Sequence, residues 1–114
     1  MADTRDAEEI ARLANALGRL NGGSGTAMTA GHVRDDLLAA ATPFTVFVAA
    51  QRDDAPSRLL GYAMAHAGYE TAFAARGHYL SDLYVDEDAR RMGLATRLIA
   101  AVARHADAHG ETFV

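Results

Sequence analysis

Cysteine is absent from this chain, so a disulfide framework, a thiolate metal site and a cysteine nucleophile are all excluded. Lysine is absent too: all 11 basic residues are arginine, set against 15 acids for a net charge of -4. Nonspecific nucleic-acid binding needs a surplus of positive charge on one face, so no nucleic-acid partner is expected. A Walker-type phosphate loop requires its lysine and is excluded for the same reason. No apolar run approaches the ~18 residues of a membrane span, and the start "MADTRDAEEI" has neither the basic nor the apolar region of a signal peptide. A cytoplasmic protein with no membrane partner is the expectation.

What is present is largely alanine. Hydrophobic residues make up 50% of the 114, but 26 of them are alanine, which favours helices and buries little area. A chain of this length forms one domain with a modest core. Its stability margin is thin, or a partner supplies the rest.

Apolar periodicity switches between helical and strand spacing in blocks, with no internal repeat, which predicts a mixed α/β (α+β) domain. "DAEEIARLANALG" places Ile10, Leu13, Ala14 and Leu17 on one helical face, with Asp6 and Glu9 spaced as a capping box and Gly18 near the exit. After the glycine-dense "NGGSGTAMT", Thr29 caps a second helix, "AGHVRDDLLAAA", with Val33, Leu37 and Leu38 on one side and Pro43 as its stop. "FTVFVAA" and "RLLGYAMAH" read as a hairpin around the turn signal "DDAPS". "GYETAFAARG" connects loosely to a third strand, "HYLSDLYV". A helix from about Leu94 to Ala108 follows, and "ETFV" opens a further strand.

The chemistry concentrates in "VDEDARRMGLATRLIAAVARHADAHG". Leu94, Leu98, Val102 and Ala106 recur every four residues, with Arg97, Arg104 and Asp107 opposite, so the helix packs one face on a sheet. Its first turn carries no acid, and Arg90 and Arg91 precede it. Free N–H groups and positive charge therefore converge there, which is an anion site. Gly93 removes a side chain where a phosphate would approach, and Ala95 keeps the next position small. The same residues also suit an ordinary strand-to-helix turn with a solvated arginine pair. The G-x-G-x-x-G of a dinucleotide fold is missing.

"YLSDLYVDEDARRMGLATRLI" resembles the cofactor motif of the GNAT superfamily of N-acetyltransferases: Arg or Gln, two residues, Gly, one residue, then Gly or Ala, after an apolar strand end. "PFTVFVAA", "LLGYAMAHAGYE" and "YLSDLYV" are similar in order and spacing to its spermidine/spermine (diamine) branch. The resemblance implies a mainly antiparallel sheet flanked by helices in a single domain, residues 1–114, lacking most of the family's first strand and its last strands and helix. It implies an enzyme that carries acetyl from acetyl-CoA to a primary amine of a small molecule or peptide. Leu83, Tyr84 and Val85 would then offer backbone groups to the acetyl carbonyl and pantetheine arm, where a bulged strand leaves N–H groups unpaired. Arg90, Arg91, Met92, Gly93, Leu94, Ala95 and Thr96 would wrap the pyrophosphate. The family usually has glycine where Arg91 stands. Asp82 would accept the amine proton, and Ser81, Asp82, Tyr69 and Glu70 would line the acceptor cleft. Ser81 and Asp82 fall where the polyamine branch has an acidic pair, so half of that pair is missing. The alternative is a noncatalytic coenzyme A binding or assembly module, or an inactive fragment of an acetyltransferase.

Other candidates rank lower. His105 and His109 have i, i+4 spacing, but no glutamate follows His105 as in H-E-x-x-H. No metal is expected. His66 and His78 read as packed or surface strand residues, and Asp35 and Asp36, adjacent on a helix, read as a solvated face. Sheet edges left open favour pairing with a second copy, so a homo-oligomer, a dimer, is expected.

Overall fold

The computed structural model describes residues 1–51 and 58–113; the turn signal "DDAPS" lies outside them. The first α-helix begins just after Asp6, where its spacing places it, but the capping box lies one turn earlier. Asp3 accepts the N–H of Arg5 (2.8 Å) and Asp6 accepts the N–H of Asp3 (3.0 Å), so the capping residues are Asp3 and Asp6. A 3-10 turn, Thr4–Asp6, then leads into α1, Ala7–Leu20, which runs past Gly18 to close at Asn21. Glu9, relieved of capping, binds Arg12 and the N–H of Leu59 instead.

Thr29 caps α2, Ala30–His32, as expected: its hydroxyl accepts the His32 N–H, and His32 Nδ1 accepts the Thr29 N–H in return. The helix continues with a wider π-type turn, Val33–Leu37, and ends there, well before Pro43. Ala39 to Ala41 are outside it. The Thr42 hydroxyl closes the turn by donating to the Asp36 carbonyl, so no proline is needed to stop the helix.

Among the described residues four strands follow, in spatial order β1-β2-β3-β4. β1 (Phe44–Ala50), β2 (Leu59–Glu70) and β3 (Ala75–Val85) are antiparallel, and α3 (Leu94–Ala108) carries the chain back to β4 (Thr112–Phe113), parallel to β3. The hairpin of β2 and β3 is longer than expected. Tyr69 and Glu70 pair with Arg76 and Ala75, so they end a strand rather than occupy a loop. The connection shrinks to four residues, turned with Ala74 at φ 49°.

The sheet separates two apolar layers. On one face Ile10 and Leu13 of α1 and Val33 pack on Val46, Leu59 and Tyr62. On the other, Leu98 and Val102 of α3 pack on Ala63 and Ala65, with Phe47, Leu80, Leu83 and Val85 around them. The alanines of β2 let α3 approach closely, which is how an alanine-rich chain still closes a core.

Candidate functional site

Regular alternation would put Leu80 and Leu83 on opposite faces of β3, yet both join the α3 layer. The cause is a bulge. Met64 faces Asp82 and Ala65 faces Leu80, so Ser81 is the extra residue, and its hydroxyl donates to the Met64 carbonyl (3.0 Å). Beyond the bulge, Asp82 and Tyr84 turn to the α1 face.

The end of β3 is pinned. The Asp86 N–H donates to the Leu60 carbonyl at 2.7 Å, and the Asp86 carboxylate takes Arg58 (3.0 Å) and Arg12 (3.2 Å). Burial pushes the Asp86 carboxyl up, but hydrogen bonds from Arg58 and Arg12 outweigh it and hold the group below the usual carboxylate range. Gly61 opposite Val85 is a close approach: a Cβ there would lie 2.8 Å from the Tyr84 carbonyl oxygen. The bond from Asp86 to Leu60 sets the ladder alternation. Tyr84 exchanges its backbone bonds with Tyr62, whereas the backbone groups of Leu83 and Val85 point away from β2. They meet an open edge, because β4 pairs with β3 only at Gly77 and His78 among the described residues.

Past a 3-10 turn, Glu87–Ala89, the chain reaches the two arginines. Arg90 folds back: its Nε donates to the outward Val85 carbonyl (3.1 Å) and its guanidinium lies over the Tyr84 ring (5.6 Å). Arg91 has φ 70°, a left-handed conformation that costs a side-chain-bearing residue about 1–2 kcal/mol. Gly93, with φ 72°, takes the N-cap of α3 and makes no side-chain cap; open space surrounds the position of its missing Cβ. Among the described residues no acceptor serves the N–H groups of Arg91, Met92, Gly93, Leu94, Ala95 or Thr96. Six consecutive donors, a helix N-terminus without acid and two exposed guanidiniums together make a cradle for an anion.

A model of the acetyltransferase (GNAT) family matches residues 16–114. The chain belongs to that family. Solved structures with the same fold include a tetramutant of the BH1408 protein from Bacillus halodurans, at 20% identity and TM-score 0.78 over 98% of this chain and 77% of that one. A ribosomal-protein-alanine N-acetyltransferase from Brucella melitensis matches at 22% identity and TM-score 0.74, over 99% and 75% of the two chains. An aminoglycoside acetyltransferase from an uncultured soil metagenomic sample, solved with sisomicin, matches at 20% identity and TM-score 0.75, over 99% and 72%. No curated protein matches the chain.

Within this GNAT domain the structure gathers Leu83, Val85 and Arg90 to Thr96 at one end of the sheet, with Ser81 and Asp82 just behind. Tyr69 and Glu70 lie elsewhere. Glu70 is six residues along β2 from the partner of Asp82, about 20 Å away at ~3.3 Å per residue. Its carboxylate accepts the Tyr79 hydroxyl (3.0 Å), which raises the phenol above its ordinary value. Sequence reasoning missed Gly61, the Arg12–Asp86–Arg58 link and Tyr62, whose hydroxyl donates to Asp82 (2.8 Å). A glycine in the middle of an apolar strand was the available signal for the first.

Three of the five histidines, His78, His105 and His109, meet at the other end of α3, while His66 stacks on Tyr79 and His32 caps α2. His105 stands edge-on to His78 and Phe47, and His109 Nδ1 lies 2.8 Å from the His105 carbonyl. Among the described residues no group of three or more His, Asp or Glu is placed to hold a metal, and no helix is long and apolar enough to cross a membrane.

Proposed function

We propose that this chain transfers the acetyl group of acetyl-CoA to a primary amine of a small molecule or peptide. The observation that carries the reading is the run of N–H groups from Arg91 to Thr96, without acceptors among the described residues, beside two arginines. Acetyl-CoA fits the donors present: a pyrophosphate offers acceptors to that run, and the open space at Gly93 admits it. Arg91 adds a positive charge where family members have glycine. Acetyl-CoA supplies the activated acyl group. The outward N–H groups of Leu83 and Val85 are the donors for its carbonyl as negative charge develops there; the backbone of Tyr84 is turned to β2.

Asp82 receives the amine. The amine nitrogen forms a bond to the acetyl carbon and the C–S bond breaks. Of the two protons an ammonium sheds, one ends on the coenzyme A sulfur and the other leaves through Asp82 to water. Ser81 lies beside it, and Tyr69 and Glu70 are placed to meet only the far end of a long acceptor. The likeness to the diamine branch makes spermidine and 1,4-diaminobutane the first amines to try, with an aminoglycoside next. A cytoplasmic homodimer completes the proposal.

Thiol release from acetyl-CoA across a panel of amines, alongside calorimetry with coenzyme A and light scattering, tests it. Turnover with micromolar to millimolar binding is expected. Binding without turnover replaces the acetyltransferase reading with a coenzyme A binding module, and the absence of both binding and turnover overturns either reading. A monodisperse monomer overturns the dimer.

A further inference from the structure

Tyr62 is 1% exposed and its ring belongs to the α1 layer. Burying a phenolic hydroxyl is unfavourable unless it is hydrogen-bonded. Among the described residues its partner is Asp82 Oδ2, at 2.8 Å. Burial, and then the bond to Asp82, raise the Tyr62 phenol far above its ordinary value, so the tyrosine stays protonated and donates. Asp82 itself is only half-buried, and its Oδ1 has no hydrogen-bond partner among the described residues.

This pairing depends on the bulge at Ser81. Were β3 regular, the alternation that seats Leu80 in the α3 layer would carry Asp82 to that same layer, away from Tyr62, and Leu83 to the α1 face. With the bulge, Asp82 meets the Tyr62 hydroxyl while the next residue, Leu83, keeps its N–H on the open edge. A carboxylate and an edge donor thus adjoin on two sides of one strand.

Resting on the acetyltransferase reading, we infer that Tyr62 is a positioning residue for the acceptor amine: it fixes one oxygen of Asp82 and leaves the other to take the amine N–H. The carboxylate is held in one rotamer by a buried, rigid ring rather than by a mobile surface group. A cationic or neutral primary amine docked on Oδ1 is thereby oriented toward the edge donors of β3.

The test measures kcat and KM for the best probe amine of the panel, 1,4-diaminobutane first, and separately KM for acetyl-CoA, in Tyr62→Phe, Asp82→Asn and the double variant. Tyr62→Phe keeps the ring and removes only the hydroxyl. The expected result is an amine KM raised roughly 10-fold or more, as for loss of a hydrogen bond to a charged group, with the acetyl-CoA KM unchanged. The double variant should be no worse than Asp82→Asn alone. Equal rises in both KM values, additive losses in the double variant, or a lowered melting temperature with unchanged kinetics would each overturn the inference and leave Tyr62 a packing residue. Should the wild-type chain turn over no amine at all, the acetyltransferase reading falls and this inference with it; turnover with an unchanged amine KM in Tyr62→Phe removes the inference alone.

Discussion

The two ends of α3 are built in opposite ways. At the N-terminal end, backbone donors from Arg91 to Thr96 have no acceptor among the described residues, Arg91 is held at φ 70°, and positive charge adds to the positive end of the helix. At the C-terminal end the polar groups close on one another. The N–H of Glu111 bonds the Ala106 carbonyl (2.8 Å), that of Gly110 bonds Asp107 (3.0 Å), and Gly110 supplies the left-handed turn at φ 67°. His78 Nδ1 and Glu111 Oε2 face each other there and have no other partner among the described residues. One helix is thus anchored at one end and left open at the other. A binding site differs from a structural cap in this way: it keeps donors and strain unresolved that a ligand can satisfy.

The largest break in that contrast should come from Gly93. Gly93→Val places a branched side chain at φ 72° and fills the open approach. Calorimetry should show coenzyme A affinity falling by about 100-fold or more, while the melting temperature drops only by the few degrees that ~1–2 kcal/mol of backbone strain implies. Undiminished affinity would move the anion site elsewhere.

Arg91→Gly separates strain from binding. Glycine relieves roughly 1–2 kcal/mol at a left-handed position, and its greater freedom in the unfolded chain takes back about 0.4–1. Stability should therefore hold level or rise slightly, while coenzyme A affinity falls about 10-fold with the lost charge. A chain that is both less stable and equally tight in binding would show that Arg91 serves the fold.

The smallest effect concerns the closed end. Burial, then the neighbouring His109 and His78, hold the His105 imidazole below its ordinary value, against the opposite pull of Glu111. The folded state thus favours neutral His105. Its contribution to stability is fully present above about pH 6.5, the ordinary histidine value, and is lost as pH falls through the lower folded value. Melting temperatures taken between pH 8 and pH 5 should decline by a few degrees on the acid side. His105→Phe, which keeps an edge for Phe47, should flatten that decline without altering coenzyme A binding.

Much of the scaffold was legible in local pattern. The four-residue spacing of Leu94, Leu98 and Val102 marks α3, and Leu98 and Val102 are indeed buried. Thr29 marks a helix start because a hydroxyl before an apolar run has one obvious use. The spacing places the start of α1 but not the capping box before it, because Asp6 can serve as cap or as the third residue of a box, and only Asp3 decides which. The sequence places Tyr69 and Glu70 in a loop because no local signal says how far two strands keep pairing.

The sequence by itself determined the mixed α/β character, the helix that carries the cradle, and the Arg90, Arg91 and Gly93 spacing that gives the cradle its charge and its gap. Those features depend on neighbours within one or two turns, so they are written in periodicity and residue type. The tertiary structure alone decided the bulge at Ser81, the meeting of Tyr62 with Asp82, the hold of Arg12 on Asp86 across 74 positions of chain, and the left-handed backbone of Arg91. Each of these depends on strand register, and register is set by the packing of both faces of the sheet at once.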